Sequence, residues 1–190
     1  MSYLAKDSLA RLNGMVEDIL NITKLSDRSI PVQKEQILLG SFIKECDAEH
    51  SLVVTASGRK WALEPAPGIQ DCCIYGDDVL IRRVIGNLVL NAVHYTREGG
   101  EIRFGVRLKG EDTVELYVRD NGAGIPEKLR KEIFSKYKSL SKTAKNVGLG
   151  LAFCRLVAER HSAALSVNSE EGKGTEIAFA MPVAKGTRPD

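Results

Sequence analysis

Apolar residues recur along this chain with two periods, and the switches between them sketch its elements in order. Over residues 3–26, Leu9, Leu12, Val16 and Ile19 fall at three- and four-residue steps. That spacing predicts one long helix with an apolar stripe on one side and charge on the other. Nothing within the segment covers the stripe, so it calls for a second helix, or else folds back on the rest of the chain. Ser29-Ile-Pro31 interrupts the pattern, and residues 32–38 read as extended. Ser41 is placed to cap a helix running to about Ala56, with Phe42, Ile43, Cys46 and Val53 facing inward and Gly58 ending it. Residues 60–64 alternate around Trp61 and Leu63 and predict a strand. Pro65 and Pro67 mark a loop, and residues 72–75 a short strand.

Gly76-Asp77 opens a long helix to about Tyr95, in which Leu80, Ile81, Val84, Ile85, Leu88 and Val89 leave little polar circumference. Residues 101–108 and 113–119 alternate as strands and join through Lys109-Gly110-Glu111-Asp112 as a hairpin. A short helix over 127–134 follows Pro126. Residues 135–147 are polar, Lys-rich and without period, which predicts a mobile loop. A helix over 149–161 comes next. Strands over 165–168 and 175–181 flank Gly172-Lys173-Gly174, and a tail over 185–190 reads as disordered. Together the elements predict an α+β protein: a two-layer sandwich, one mixed sheet covered by helices on one face, preceded by a single long helix.

Composition narrows this picture only a little. The chain has 190 residues, 43% of them hydrophobic and 27% charged, enough for one buried domain plus a small extra element. A formal charge of +2 gives no reason to expect nucleic acid or a membrane surface as partner. No apolar run is long enough to span a bilayer, and the N-terminus lacks the order of a signal peptide. The four cysteines, Cys46, Cys72, Cys73 and Cys154, lack metal-ligand spacing and read as buried reduced thiols in a cytoplasmic setting.

Three short segments carry the candidate chemistry. Asn87 and Asn91 lie four residues apart on the long apolar helix, so their amides project from one face. An amide oxygen there suits the oxygen shell of Mg²⁺. Asp120 closes a strand and is followed by Gly122 and Gly124. A buried carboxylate accepts from the exocyclic amine of adenine and repels the carbonyl of guanine. Gly148 and Gly150 feed the next helix, where free N–H groups suit an anion. Lys136, Lys138, Lys142 and Lys145 precede those glycines and are able to screen phosphate charge. Alone, each segment is better explained by ordinary structure: buried asparagines capping neighbouring loops, an Asp-Asn-Gly turn and a simple helix start.

In order, however, they resemble the catalytic and ATP-binding domain of bacterial sensor histidine kinases, within the gyrase, heat-shock chaperone, histidine kinase and mismatch-repair (GHKL) ATPase group. Asn87-Leu-Val-Leu-Asn-Ala-Val-His-Tyr-Thr96 resembles the family's N box, and Asp120-Asn-Gly-Ala-Gly-Ile-Pro126 its first glycine box. Ile133-Phe134 resembles the phenylalanine box, with Tyr137 where a second Phe is usual. Asn146-Val-Gly-Leu-Gly-Leu-Ala-Phe153 resembles the second glycine box, and Gly172-Lys-Gly-Thr175 the last. The resemblance implies ATP and Mg²⁺ as ligands. It implies that Asn91 ligates Mg²⁺, that Asn87 supports metal or phosphate and takes part in catalysis with Lys142, and that Asp120 reads adenine. It implies nucleotide contacts from His94, Tyr95, Gly122, Gly124, Ile125, Tyr137, Lys138, Lys142, Gly148, Leu149, Gly150, Leu151 and Thr175, with residues 135–147 as a lid. His94 stands where the family often has Lys.

Leu9-Ala-Arg-Leu-Asn-Gly-Met-Val-Glu-Asp-Ile-Leu20 resembles the second helix of the family's dimerisation and phosphoacceptor hairpin. The implied division is 1–28 as that partial hairpin, 29–184 as the catalytic ATP-binding domain and 185–190 as tail. His50, His94 and His161 lie outside the phosphoacceptor context, so the chain reads as a fragment of a longer kinase. The implied partners are the phosphoacceptor His helix of the same kinase, a response regulator receiver domain and a second copy through residues 3–26. Location is expected to be cytoplasmic, with no nucleic-acid or membrane contact by this segment. Related ATPases carry a Glu where this chain has Asn87. An amide takes no proton from water, whereas a neutral imidazole is already a nucleophile, so the position favours phosphoryl transfer over hydrolysis. The other readings are a Ser kinase of anti-sigma type and a nucleotide-binding or docking module without activity.

Overall fold

The computed structural model describes residues 20, 22–23, 25–27, 29, 31–130, 133–134 and 149–184. In chain order the elements are β1 (Glu35–Leu38), α1 (Leu39–Ala56), β2 (Lys60–Pro65), a 3₁₀ turn (Ile69–Asp71), β3 (Cys73–Gly76), α2 (Asp78–Tyr95), β4 (Glu101–Lys109), β5 (Thr113–Asp120), α3 (Glu127–Arg130), α4 (Gly150–His161), β6 (Ala164–Glu170) and β7 (Gly174–Pro182). Five strands form one mixed sheet in the order β2-β4-β5-β7-β6, with β2 parallel to β4 and the other pairs antiparallel. β1 and β3 make a separate antiparallel ribbon.

Strand alternation sends one set of side chains toward the helices. Val106, Leu116, Phe179 and Leu165 form one row across β4, β5, β7 and β6, and Phe104, Val118, Ile177 and Val167 the next. Phe42, Ile43 and Cys46 of α1, Ile81, Val84, Ile85 and Leu88 of α2, and Phe153 and Val157 of α4 join these rows in one core. The opposite face is polar. Arg107 donates to Glu115 and Glu176 at 2.9 and 2.7 Å and lies 4.3 Å from the centre of the Tyr117 ring. The expected two-layer α+β sandwich is therefore present.

Some boundaries differ for identifiable reasons. Ser41 does not cap α1. The helix leaves β1 without a break, Leu39 N–H donates to Cys72 O across the ribbon at 2.9 Å, and the Ser41 hydroxyl donates back to Leu38 O at 3.0 Å inside the first turn. Val53 is 49% exposed, and Val54 is buried instead, because Cys46, His50 and Val54 continue the four-residue step. Of the helix expected over 127–134, Glu127–Arg130 are helical and Ile133 and Phe134 lie in a turn. β6 and β7 run longer than their apolar residues alone suggest. The four cysteines are buried and free of disulfides.

The apolar stripe Leu9, Leu12, Val16 and Ile19 lies outside the described residues, as do the expected lid and tail. Of the first helix, Ile22 and Leu25 are buried in the main core. One Arg160 nitrogen donates to Leu25 O and Asp27 O, both at 3.0 Å. The described end of that helix thus docks on α4.

Candidate functional site

The apolar rows of the sheet end in a polar one. Next after Phe104, Val118, Ile177 and Val167 come Ile102, Asp120, Thr175 and Ser169, in register across the same four strands. Asp120 and Thr175 are thus side by side on the helix-covered face, at the edge of the core. Asp120 Oδ1 accepts from Gly122 N–H at 2.8 Å, and the Thr175 N–H also donates to this carboxylate. Burial pushes the Asp120 carboxyl above its ordinary range, and those two backbone donors oppose the shift. Ser169, 6% exposed, accepts from Ile125 N–H at 2.8 Å, donates to Gly174 O at 2.8 Å and lies 3.0 Å from Thr175 Oγ1.

Two turns lock around this row. Gly172 N–H donates to Ala123 O at 2.7 Å, and Ala123 N–H donates to Tyr95 O at 3.1 Å. A Cβ on Gly124 would sit 2.0 Å from Glu170 O, one on Gly122 2.3 Å from Tyr95 O, and one on Gly174 2.0 Å from Asp120 O. Gly124 also has φ +67°, which disfavours any other residue. The family resemblance implies nucleotide contacts at Gly122 and Gly124. Here their bare Cα atoms admit protein backbone, fastening the Asp120 turn to the end of α2 and to the β6–β7 turn.

α2 supplies the second wall. Asn87, half-buried, faces the start of α4, where a Cβ on Gly150 would lie 3.1 Å from Asn87 Oδ1. Its Nδ2 is buried with no hydrogen-bond partner among the described residues, a donor for which a ligand acceptor is the natural match. Asn91 sits one turn further on, half-buried, and Tyr95 closes the helix against the Asp120 turn. From Asn87 to Tyr95 the helix rises about 12 Å, with a carboxylate at one end and an orphan amide donor at the other. Leu149 is buried at the start of α4 and Leu151 half-buried beside it.

Asn87, Asn91, Tyr95, Asp120, Gly122, Gly124, Ile125, Leu149, Gly150, Leu151 and Thr175 therefore line or support one region. His94 is exposed on α2, with Nδ1 2.6 Å from Leu90 O. Tyr137, Lys138, Lys142 and Gly148 lie outside the described residues. Two supporting residues escape the motif reading. Ser169 continues the inward alternation of Leu165 and Val167, a signal the sequence does contain. Arg59 donates through Nε and Nη2 to Thr96 O at 3.2 and 2.9 Å, placing a cation at the C-terminus of α2, and nothing local to Arg59 announces it. A neighbouring polar cleft shares Asp120 with this region and is otherwise lined by Glu101, Arg103, Arg119, Asn121 and Lys173, with Arg103 and Arg119 coming from the other face of the sheet. Arg103 is already bonded to Glu64 and Glu101, and Lys173 to Glu170.

Residues 76–185 match the model of the "Histidine kinase-, DNA gyrase B-, and HSP90-like ATPase" family. The adaptive-response sensory kinase SasA of Crocosphaera subtropica is 31% identical over 174 residues, which are 90% of this chain and 45% of that protein. The aerobic respiration control sensor protein ArcB of Escherichia coli is 28% identical over 92% of this chain and 23% of its own length. The chain thus spans less than half of these curated relatives. Among solved structures, the catalytic domain of the histidine kinase ThkA superposes with TM-score 0.68 at 26% identity, over 79% of this chain and 97% of that one. Full-length ShkA in complex with AMPPNP superposes with TM-score 0.84 at 23% identity, over 97% of this chain and 38% of that one, a likeness of fold.

Proposed function

This chain belongs to the histidine kinase-, DNA gyrase B- and HSP90-like ATPase family, and we propose that it is the ATP-binding catalytic part of a two-component sensor histidine kinase. One observation carries the reading: Asp120, a carboxylate held at the rim of the core by the N–H groups of Gly122 and Thr175, with lone pairs left over for an amine donor. In this reading it accepts from the 6-amino group of adenine. The triphosphate runs along α2 toward Asn87 and Gly150, where Asn87 Nδ2, without a partner among the described residues, donates to phosphate oxygen. Among the described residues no three His, Cys, Asp or Glu side chains gather into a metal cage. Mg²⁺ would be held by the Asn91 amide oxygen together with phosphate oxygens, and when bound it supplies charge neutralisation across the β- and γ-phosphates. Lys142, with Tyr137 and Lys138, is assigned to the phosphate side of the pocket by motif.

The transfer itself needs position and charge compensation more than a base. The lone pair of a neutral imidazole nitrogen forms a P–N bond as the bond from the γ-phosphorus to the β–γ bridging oxygen breaks. ADP leaves with that electron pair, and the ring N–H proton passes to water. Asn87 offers no base to activate a competing water. Within the chain, His50 and His161 are buried and His94 lies on the pocket helix α2 rather than in a phosphoacceptor motif, so the acceptor is assigned to a histidine helix that is not among the described elements. A response regulator receiver domain then takes the phosphoryl group, in the cytoplasm. No helix among the described residues is long and apolar enough to cross a membrane.

Titrating the chain with Mg-ATP, then adding γ-labelled ATP and a phosphoacceptor hairpin, tests the reading. Asp120→Asn sets a donor against a donor and is expected to weaken ATP by about 1–3 kcal/mol. Asn91→Asp is expected to alter the Mg²⁺ dependence of binding or turnover. Unchanged binding in Asp120→Asn removes the adenine assignment, and unchanged Mg²⁺ dependence removes Asn91 as ligand. ATP binding without label transfer to any hairpin would turn the proposal toward a docking module.

A further inference from the structure

Ser169 has no place in the motifs, yet its hydroxyl sits at the centre of the polar row. It has three neighbours and one proton. Gly174 O, 2.8 Å away, is an acceptor only, so the oxygen pair needs a hydrogen between them, and Ser169 alone has one to give. Ile125 N–H, at 2.8 Å, is a donor only and takes one Ser169 lone pair. Thr175 Oγ1, at 3.0 Å, is the third neighbour. With the Ser169 proton committed to Gly174, the hydrogen in this pair comes from Thr175. The Thr175 hydroxyl therefore has no proton left for anything else, and its remaining lone pairs make it an acceptor.

Thr175 is the register partner of Asp120 on the same face of the sheet. We propose that Ser169 is a positioning residue that fixes the polarity of the Thr175 hydroxyl, so that the base end of the pocket presents two acceptors and selects a 6-amino purine over a 6-oxo purine. The inference rests on the nucleotide reading above and adds a determinant of base choice to it. Asp120 alone would disfavour a 6-oxo base by one clash. A rotatable Thr175 hydroxyl would soften that discrimination by turning its proton toward the oxo group. Ser169 removes that option, and a buried acceptor facing an oxo group cannot be repaired by rotation. The arrangement is stiff because every member has a second duty. Ile125 follows Gly124 in the locked turn, Gly174 O belongs to the start of β7, and Ser169 is held in the β6 ladder opposite Thr175.

The test compares ATP and ITP, which differ at the 6-position, by calorimetric titration of the wild-type chain and of Ser169→Ala, Thr175→Val and Thr175→Ser. Ser169→Ala frees the Thr175 proton, so the ATP-to-ITP affinity ratio is expected to fall by about fivefold or more, even where overall affinity also drops. Thr175→Val removes the second acceptor and lowers the same ratio. Thr175→Ser keeps a hydroxyl beside Ser169 and retains it, a rescue that a purely structural role would not predict. If Ser169→Ala does not fold, the Thr175 pair carries the test alone. Equal losses of ATP and ITP, or a ratio that rises, overturn the inference while leaving the nucleotide site standing. A wild-type chain that binds neither nucleotide overturns both.

Discussion

At the scale of single residues, two buried histidines tie stability to pH. His161 Nε2 accepts from Asp77 N–H at 2.9 Å, and Nδ1 lies 2.8 Å from Val157 O, so the ring is neutral with its proton on Nδ1. The sequence places His161 at the C-terminus of a helix, which suggests a capping role. Its Nδ1 does meet a carbonyl of that helix, and as a neutral ring its Nε2 also pins the N-cap of α2 to α4. Burial, with Lys34 and Arg160 pushing the same way, lowers its pKa below the ordinary 6.5. His50 Nε2 is buried with no partner among the described residues, and burial lowers that pKa too. Well above pH 6.5 both rings are neutral whether the chain is folded or not. Below it the unfolded chain takes protons that the fold refuses, so stability falls as pH drops, until the lowered native values are passed. Each ring contributes up to about 1.4 kcal/mol per pH unit. Urea midpoints measured from about pH 7.5 down to about pH 5.5 are expected to decline, and His161→Gln to decline less steeply. A level midpoint in the parent chain would show that neither ring is held neutral.

At the scale of elements, the glycines are the part the sequence marked correctly and explained incompletely. The motifs single out Gly122 and Gly124 beside Asp120, and Gly174 in a turn, but a local pattern does not say what approaches them. The partner of Gly124 is Glu170 O and that of Gly174 is Asp120 O, each some fifty residues distant in the chain, a pairing that exists only once β5 and β7 lie side by side. A matched pair of substitutions separates the two demands on such a residue. Gly110 and Gly124 share φ +67°, but a Cβ on Gly110 meets nothing within 4 Å. Gly110→Ala is expected to cost about 1 kcal/mol, the conformational penalty alone. Gly124→Ala adds a clash with backbone that has no side-chain freedom to yield, and is expected to cost about 3 kcal/mol or more. Thermal unfolding of both proteins measures the difference. Equal losses would mean that the turns give way easily and do not hold Asp120 in place.

At the scale of the whole molecule, what was legible followed periodicity, and what was hidden followed distance. The amphipathic faces of α1, α2 and α4 and the alternation of β4, β5 and β7 come straight from residue order, and with them the mixed sheet and its covered face. The ribbon of β1 and β3 does not, since Leu39 N–H finds Cys72 O across a gap in sequence. The cap from Arg59 to Thr96 O and the Ser169 row are hidden for the same reason. The attachment of the first helix belongs to this class. Its stripe, Leu9 to Ile19, lies outside the described residues, but beyond it Ile22 and Leu25 are 7% and 8% exposed, inside the core, and Arg160 reaches across to Leu25 O and Asp27 O. These carbonyls lie at the C-terminal end of that helix, where a guanidinium satisfies groups that the helix itself leaves open. Arg160→Ala removes both bonds while leaving the nucleotide wall, which α2 and the two turns build, untouched. ATP affinity is therefore expected to stay within about twofold. Amide exchange at residues 22–27 is expected to quicken by about tenfold, the effect of losing about 1.4 kcal/mol of local protection. Unchanged exchange there would show that Ile22 and Leu25 hold the helix without Arg160, and a matching loss of ATP affinity would show that the helix end and the nucleotide wall form one cooperative unit.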